Sequence, residues 1–189
     1  MFNKSTKLET ERLLIRPFTQ DDKELIFNIM KDKEMFEYTP DEPWQSIENA
    51  EGFINLVLWL YDSEHETFKH FFAVTEKESG KLIGVCGVGG IDYDRSENEV
   101  FYHIRKDYWG KGYATEAAEA MLEYSFEQLG LSKIIGAVHP DNNASNRVMD
   151  KIGLKRVGII SGLDEEHADF NGEYLYLMSI EDYQKKYKS

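Results

Sequence analysis

The sequence predicts a mixed α/β fold, and three observations carry that expectation. Residues 97–104 alternate well enough to read as a strand; a glycine turn follows at Gly110 and Gly112; then Ala114, Ala117, Ala118, Met121, Leu122, Phe126 and Leu129 recur at the three- and four-residue spacing of one apolar helix face. Residues 68–75 and 81–91 read as two more strands, joined by a turn at Ser79 and Gly80. Two stretches ahead of them carry helical spacing instead.

In chain order, residues 8–16 (LETERLLIR) read as one strand that turns at Pro17. Thr19 or Gln20 then precedes Asp21, Asp22 and Glu24, acidic residues suited to a helix start, and Leu25, Ile26, Ile29 and Met30 supply the apolar face. Residues 35–44 are irregular, with Pro40 and Pro43, before helical spacing returns at Ile47, Phe53, Ile54, Val57, Leu58 and Tyr61. Within the strand at 81–91, Gly84, Gly87, Gly89 and Gly90 leave the backbone bare, which suggests a bulge or the close approach of another backbone or a ligand. Residues 92–96 turn the chain into the strand at 97–104. On the helix after the glycine turn, Glu116, Glu119, Glu123 and Glu127 fall mostly on the far side and are expected in solvent. A fifth central strand covers 134–139. Asn142 or Asn143 caps a helix with apolar positions Ala144, Val148 and Ile152, and Gly153 ends it. Residues 154–161 and 172–180 read as a strand and its return, the acidic loop DEEHADFNG lies between them, and the tail at 181–189 is polar. No internal repeat, linker or low-complexity segment divides the chain, so one domain over 1–189 is expected.

Composition narrows the function. A chain of 189 residues that is 41% hydrophobic can bury one sizeable core. Its net charge of −13 argues against a duplex nucleic-acid binder, which relies on basic contacts to phosphates, and favours cationic partners. Cys86 is the only cysteine, so no intramolecular disulfide can form and a reducing compartment fits; in an apolar strand it reads as a small core residue rather than a nucleophile. The start MFNKSTKLETE is polar and lacks the apolar core of a signal peptide, and the longest apolar run, 54–61, is too short to cross a bilayer. The expectation is a cytoplasmic protein with neither membrane nor nucleic acid as a partner.

The strand, glycine turn and helix around residue 110 have a chemistry of their own. Glycine lacks a Cβ, so such a turn can bring bare amides close to a ligand. A helix start carries unpaired N–H groups and partial positive charge, which suit phosphate oxygens. Arg105, Lys106 and Lys111 add local positive charge in an acidic chain. The P-loop spacing is absent, and the dinucleotide fingerprint lacks its third glycine after Gly112. The two glycines by themselves fit a tight turn dictated by sterics as well as a ligand turn. Other chemistries lack their residues. The histidines, His65, His70, His103, His139 and His167, form no H-E-x-x-H, no Cys/His spacing suggests zinc, and no G-x-S-x-G elbow is present. Asp164, Glu165, Glu166, His167 and Asp169 offer ligand atoms, but such a charge run reads first as a solvated loop, so no metal is expected. His103 is either a proton carrier or a hydrogen-bonded core residue.

The segment Trp109-Gly110-Lys111-Gly112-Tyr113-Ala114 resembles the acetyl-CoA turn of the GNAT acetyltransferases, Q/R-x-x-G-x-G/A, with Trp109 in place of the Gln or Arg. The longer string YWGKGYATEA and the strand KLIGVCGVGGID resemble the RimJ/RimL group of protein N-terminal acetyltransferases, and the N-x-x-S string Asn142 to Ser145, followed by Arg147, Lys151 and Gly153, resembles the next GNAT motif. The resemblance covers nearly the whole chain. It implies an α/β (α+β) fold with a strongly bent, mixed, mostly antiparallel sheet, helices on both faces, and a V-shaped splay between two central strands. It also places the first two helices along one wall of an amine-binding cleft.

The implied reaction is direct transfer of acetyl from acetyl-CoA to a primary amine. The amine must lose a proton, the thioester carbonyl must be polarised as oxyanion charge develops, and the leaving thiolate benefits from a proton donor. By resemblance, the amides of Gly110, Lys111, Gly112, Tyr113, Ala114 and Thr115 cradle the pyrophosphate, with Arg105, Lys106 and Trp109 beside them. Backbone from Val100 to Arg105, Ile104 included, pairs with the pantetheine arm and supplies the oxyanion donor. Asn142 holds a pantetheine amide, and Ser145 stands nearest the sulfur as proton donor. Glu99 either accepts the amine proton, directly or through water, or orients the substrate ammonium. Three functions are open at this point: an acetyltransferase for a protein N-terminal amine, such as that of a ribosomal protein; one for a small amine such as a polyamine or aminoglycoside; and a catalytically silent CoA-binding module. A homodimer is compatible with each.

Overall fold

The structure, a computed structural model, describes residues 5–62 and 69–188, so Phe68 and His65 lie outside the described residues. Eight strands make one sheet: β1 (Leu8–Glu9), β2 (Leu13–Arg16), β3 (Lys69–Glu76), β4 (Leu82–Ile91), β5 (Asp94–Ile104), β6 (Lys133–Val138), β7 (Lys155–Ile159) and β8 (Tyr174–Ser179). Their order is β1-β2-β3-β4-β5-β6-β8-β7. Every neighbouring pair is antiparallel except β5 and β6, which are parallel. The helices are α1 (Lys23–Met30), α2 (Ile47–Asp62), α3 (Tyr113–Glu123), α4 (Asn143–Ile152) and α5 (Ile180–Tyr187), and α3 runs on into one wider π turn, Tyr124–Gln128.

Strand alternation sorts side chains into two cores. On one face Met121 and Leu122 of α3, Ile152 of α4 and Tyr183 of α5 pack with Phe72, Val100, Ile134 and Tyr176. On the other, Ile26 and Ile29 of α1 and Ile54 and Val57 of α2 pack with Phe18, Ala73 and Val85. Both faces of β4 are therefore covered, and all ten of its residues are buried. Its glycines answer the close-approach expectation. A Cβ on Gly87 would lie 2.1 Å from the His70 carbonyl oxygen and 2.3 Å from the Phe101 ring. A bulge breaks the register between Gly90 and Ile91.

Several expectations are corrected. Residues 8–16 form two strands rather than one, because the chain turns at Thr10–Arg12: Leu13 N–H donates to Thr10 Oγ1 at 2.9 Å, and Arg12 N–H donates to Glu116 at 2.8 Å. Glu116 is accordingly a half-buried tie between α3 and this turn, not a solvated residue. The turn into β5 is confined to Asp92 and Tyr93, so the strand begins at Asp94. Met149, not Ala144, shares the buried face of α4 with Ile152. The polar tail folds as α5, since Ser179 accepts from Asp182 N–H at its start and Tyr183 is buried. The seven expected strands become eight through the split at Thr10–Arg12, and all eight belong to one sheet.

The parallel pair at the centre of the sheet opens a site. β5 and β6 share a single register pair, Glu99 with Ile135. Beyond it, residues 100–103 and 137–139 line opposite sides of one cavity instead of bonding to each other. This is the splay between central strands that the sequence resemblance implies.

Candidate functional site

The glycine turn comes first in the chain. Gly110 and Gly112 have φ of 72° and 86°, a left-handed conformation that glycine adopts at little cost, and open space surrounds Gly110. Gly112 is the N-cap of α3, and no side chain caps that helix, whereas Asn142 caps α4 and Ser179 caps α5. The amides of Tyr113, Ala114 and Thr115 thus have no intrahelical acceptor and meet the start of the helix dipole. The turn is fixed from behind. Tyr113 Oη donates to Glu76, the Arg12 guanidinium lies 4.4 Å from the Tyr113 ring centre, and Arg12 Nη1 donates to the Lys111 carbonyl at 2.9 Å. These bare, oppositely supported amides fit a diphosphate.

The cations nearby are less free than their sequence suggests. Arg105 pairs with Asp107 at 2.7 Å, Lys106 with Glu34 at 2.5 Å, and Lys111 Nζ donates to the Asp107 carbonyl at 2.8 Å. Trp109, in place of the motif's Gln or Arg, braces the turn, because its indole Nε1–H donates to the Ile104 carbonyl at 2.5 Å. That carbonyl is therefore taken, and the ligand-facing backbone of β5 is restricted to the stretch before it.

The cavity between β5 and β6 has a volume of about 470 Å³ and collects Glu99, Asn142 and Ser145 with Tyr102, His103 and Glu173. It does not include the glycine turn; Gly112 and Thr115 open on a separate groove shared with residues 7–12. Asn142 is the cap of α4: Ser145 N–H donates to its Oδ1 at 3.0 Å, and its side-chain NH₂ has no partner among the described residues. Asn146, which sequence reasoning passed over, locks the same corner. Its Nδ2 donates to the carbonyls of His139, Pro140 and Asn142, and Tyr176 Oη donates to its Oδ1 at 2.8 Å.

Electrostatics distinguishes the two carboxylates. Glu99 keeps an open side toward the cavity but is otherwise densely surrounded. Burial pushes its pKa up to about 7; the Ala137 N–H, which donates to Oε1 at 3.3 Å, and Lys69 oppose the rise, while Glu173 and Asp92 add to it. Burial alone lifts Glu173 to about 7. Tyr102 is the other residue the sequence did not flag. Burial raises its phenol to about 12, and the neighbouring Ser145 side chain opposes the rise. The hydroxyls of Tyr102 and Thr39, both in the cavity wall, are buried without partners among the described residues. Such orphaned groups are uncommon in folded proteins and suit a ligand's polar atoms. His103 stacks on Phe36 at 6.0 Å, and burial depresses its pKa, so it sits in the wall as a neutral ring. In the acidic loop, Asp164 accepts from His167 N–H at 3.1 Å and lies 2.8 Å from its Nδ1, a local cap.

Comparison with known proteins agrees with this geometry. A sequence model described as "Acetyltransferase (GNAT) domain" matches residues 12–155. The uncharacterized N-acetyltransferase YoaA of Bacillus subtilis is 32% identical over 153 residues, covering 81% of this chain and 85% of its own. The spermidine N(1)-acetyltransferase of Vibrio cholerae is 26% identical over 176 residues, covering 93% of this chain and 95% of its own. Among solved structures, an acetyltransferase (GNAT family) from Bacillus anthracis superposes with a TM-score of 0.77 at 29% identity, covering 93% of this chain and 99% of that one. Among the described residues no helix is long and apolar enough to cross a membrane.

Proposed function

The chain belongs to the GNAT acetyltransferase family, and from that premise we propose that its acceptor is a cationic primary amine, first the N-terminal amine of a basic protein such as a ribosomal protein. It is an acetyl-CoA-dependent N-acetyltransferase of the RimJ/RimL-like kind. The observation that carries the acceptor reading is Glu99, a carboxylate on the cavity wall at the one point where β5 and β6 pair. Asp41 and Glu42 on the same wall, with the net charge of −13, support a basic partner. A polyamine is the second reading, supported by the spermidine-acetylating relative. A cytoplasmic setting, one catalytic domain over the whole chain, and a homodimer belong to the same proposal. The reduced, buried Cys86 supports the first, and the exposed Val157 and Ile159 on edge strand β7 support the last.

Bound acetyl-CoA supplies an activated acetyl thioester. In our reading the amides from Gly110 to Thr115 hold its diphosphate, with Arg105, Lys106 and Trp109 shaping the turn. The edge of β5 from Val100 to His103, which has no sheet partner on the β6 side, offers main-chain groups to the pantetheine arm and an N–H to the developing oxyanion. The free NH₂ of Asn142 donates to a pantetheine carbonyl. Glu99 takes the amine proton or fixes the ammonium, and Ser145 gives a proton to the leaving sulfur.

Two experiments test this. An acceptor screen with free-thiol detection, setting basic peptides against polyamines, is expected to show thiol release with the peptides; release with neither class rejects the amine reading. Ser145→Ala is expected to lower turnover about ten- to a thousandfold if the hydroxyl is the general acid. Wild-type turnover across the pH range would remove Ser145 from the mechanism and leave the unpartnered Tyr102 phenol as the donor to test by Tyr102→Phe.

A further inference from the structure

The cavity contains a second carboxylate that proton removal does not require. Glu173 immediately precedes β8, is only 6% exposed, and lines the cavity wall. Among the described residues no hydrogen bond or ion pair reaches its carboxylate. The cation in the cavity wall, Lys69, is in register with Glu99 through Gly89 and is bound to Asp92 at 2.8 Å. An ionisable group held out of water without a partner is a standing cost to the fold, unless a ligand brings the missing charge.

Register shows where Glu173 sits relative to Glu99. Ala137 on β6 pairs with Leu175 on β8, and strand alternation puts Glu173 on the same side of the sheet as Leu175. Val100 on β5 and Tyr176 on β8 both belong to the core against α3, so alternation turns Glu99 and Glu173 alike to the opposite face. Glu99 is level with Ile135 and, across β6, with Leu177, so Glu173 lies two strands over and four residues along, roughly 16 Å between backbones at ordinary strand dimensions. The wall of the same cavity includes Phe71, Phe101 and Phe170, and Phe170 packs edge-on against Tyr93 at 5.1 Å. Two carboxylates in one cavity with aromatic side chains in its wall are the complement of two ammonium groups joined by a flexible hydrocarbon spacer.

We propose that Glu173 is an anchoring site for a second ammonium of the acceptor, so that the substrate class is a dication with an apolar spacer between its nitrogens. This deepens the amine-acetylation reading and rests on it. Both a free polyamine and a protein N-terminus that begins with lysine supply that chemistry.

The test begins with binding to the CoA-free protein, measured by calorimetry with 1,4-diaminobutane and 1-aminobutane. The diamine is expected to bind at least tenfold more tightly than the monoamine. Glu173→Gln is expected to remove that advantage and leave monoamine binding within twofold, while Glu173→Asp retains part of it. Equal binding of the two amines by the wild type, or equal losses for both in Glu173→Gln, overturns the proposal. The variant's thermal midpoint and its affinity for acetyl-CoA, both expected to match wild type, exclude misfolding. Turnover separates this idea from the one beneath it: diamine selectivity in binding with no acetyl transfer to any amine would sink the acetylation reading and leave the anchor standing. Steady-state kinetics with spermidine and with a lysine-starting peptide then identifies the source, since Glu173→Gln is expected to raise KM, not lower kcat, for the true class. No change in KM for either one also overturns the anchor.

Discussion

Gly112→Trp is expected to weaken acetyl-CoA binding at least a hundredfold, to the point where calorimetry detects no heat, while the protein remains folded. Two effects combine. The residue has a φ of 86°, and an L side chain in that left-handed region costs roughly 1–2 kcal/mol. The larger effect is steric and electrostatic. A Cβ at Gly112 would already stand 3.3 Å from the Arg12 guanidinium, and an indole beyond it would cover the amides of Tyr113, Ala114 and Thr115. Those amides have no side-chain cap, so nothing else in the chain replaces the anion. Gly110→Ala separates the two effects. Its φ is 72° and nothing lies within 4 Å of its Cβ position, so it adds backbone strain without filling the cradle. It is expected to lower the thermal midpoint slightly and to change the dissociation constant by less than tenfold. Unchanged calorimetric binding by Gly112→Trp would mean that the diphosphate lies elsewhere and would remove the assigned turn.

What was legible in the sequence was local. The glycines before α3, the Asn142 cap and the Gly153 stop act within a few residues of themselves, and each stands where its spacing puts it. The α5 helix was missed because its polarity hid the helical spacing of Ile180, Tyr183 and Tyr187 behind the Ser179 cap. What could not be read is long-range. Glu116 looks solvated on a helical wheel because its partners, Thr10 and Arg12, lie more than 100 positions earlier. Lys106 looks like a free phosphate ligand until Glu34, 72 positions earlier, is set beside it. Glu173 sits in a segment that reads as an ordinary return strand. Only the pairing of β6 with β8 carries it into the same cavity as Glu99, and only burial in that cavity gives it a chemical role.

Glu99→Gln is the second large effect, and its pH dependence decides between the two roles open to that residue. With burial holding the carboxyl near a pKa of about 7, a base at this position is half-ionised near neutrality. Assayed with an alkylamine acceptor, whose own limb lies at about 10 where that of an α-amine lies at about 8, the wild-type kcat/KM is then expected to climb with pH through that value. Removing a general base costs about 10²–10⁴ in rate, so the glutamine variant is expected to fall by that factor and to lose the neutral limb. If Glu99 only orients the ammonium, KM rises, kcat is largely preserved and the limb persists. The same carboxyl affects stability with a definite sign. Its pKa is raised on folding from 4.5 to about 7, so between those values the native state holds a proton that the unfolded chain has released. Stability contributed by this group is therefore full below 4.5 and declines as pH rises toward 7 and beyond. Glutamine cannot ionise, so Glu99→Gln is expected to gain stability relative to wild type between pH 5 and 8 in urea unfolding, even as it loses activity. Glu173 titrates with the same sign and remains in both proteins, so it cancels in the comparison to first order. A stability difference that stays flat across that range would show that Glu99 is not held protonated by burial, and the neutral limb would then need another owner.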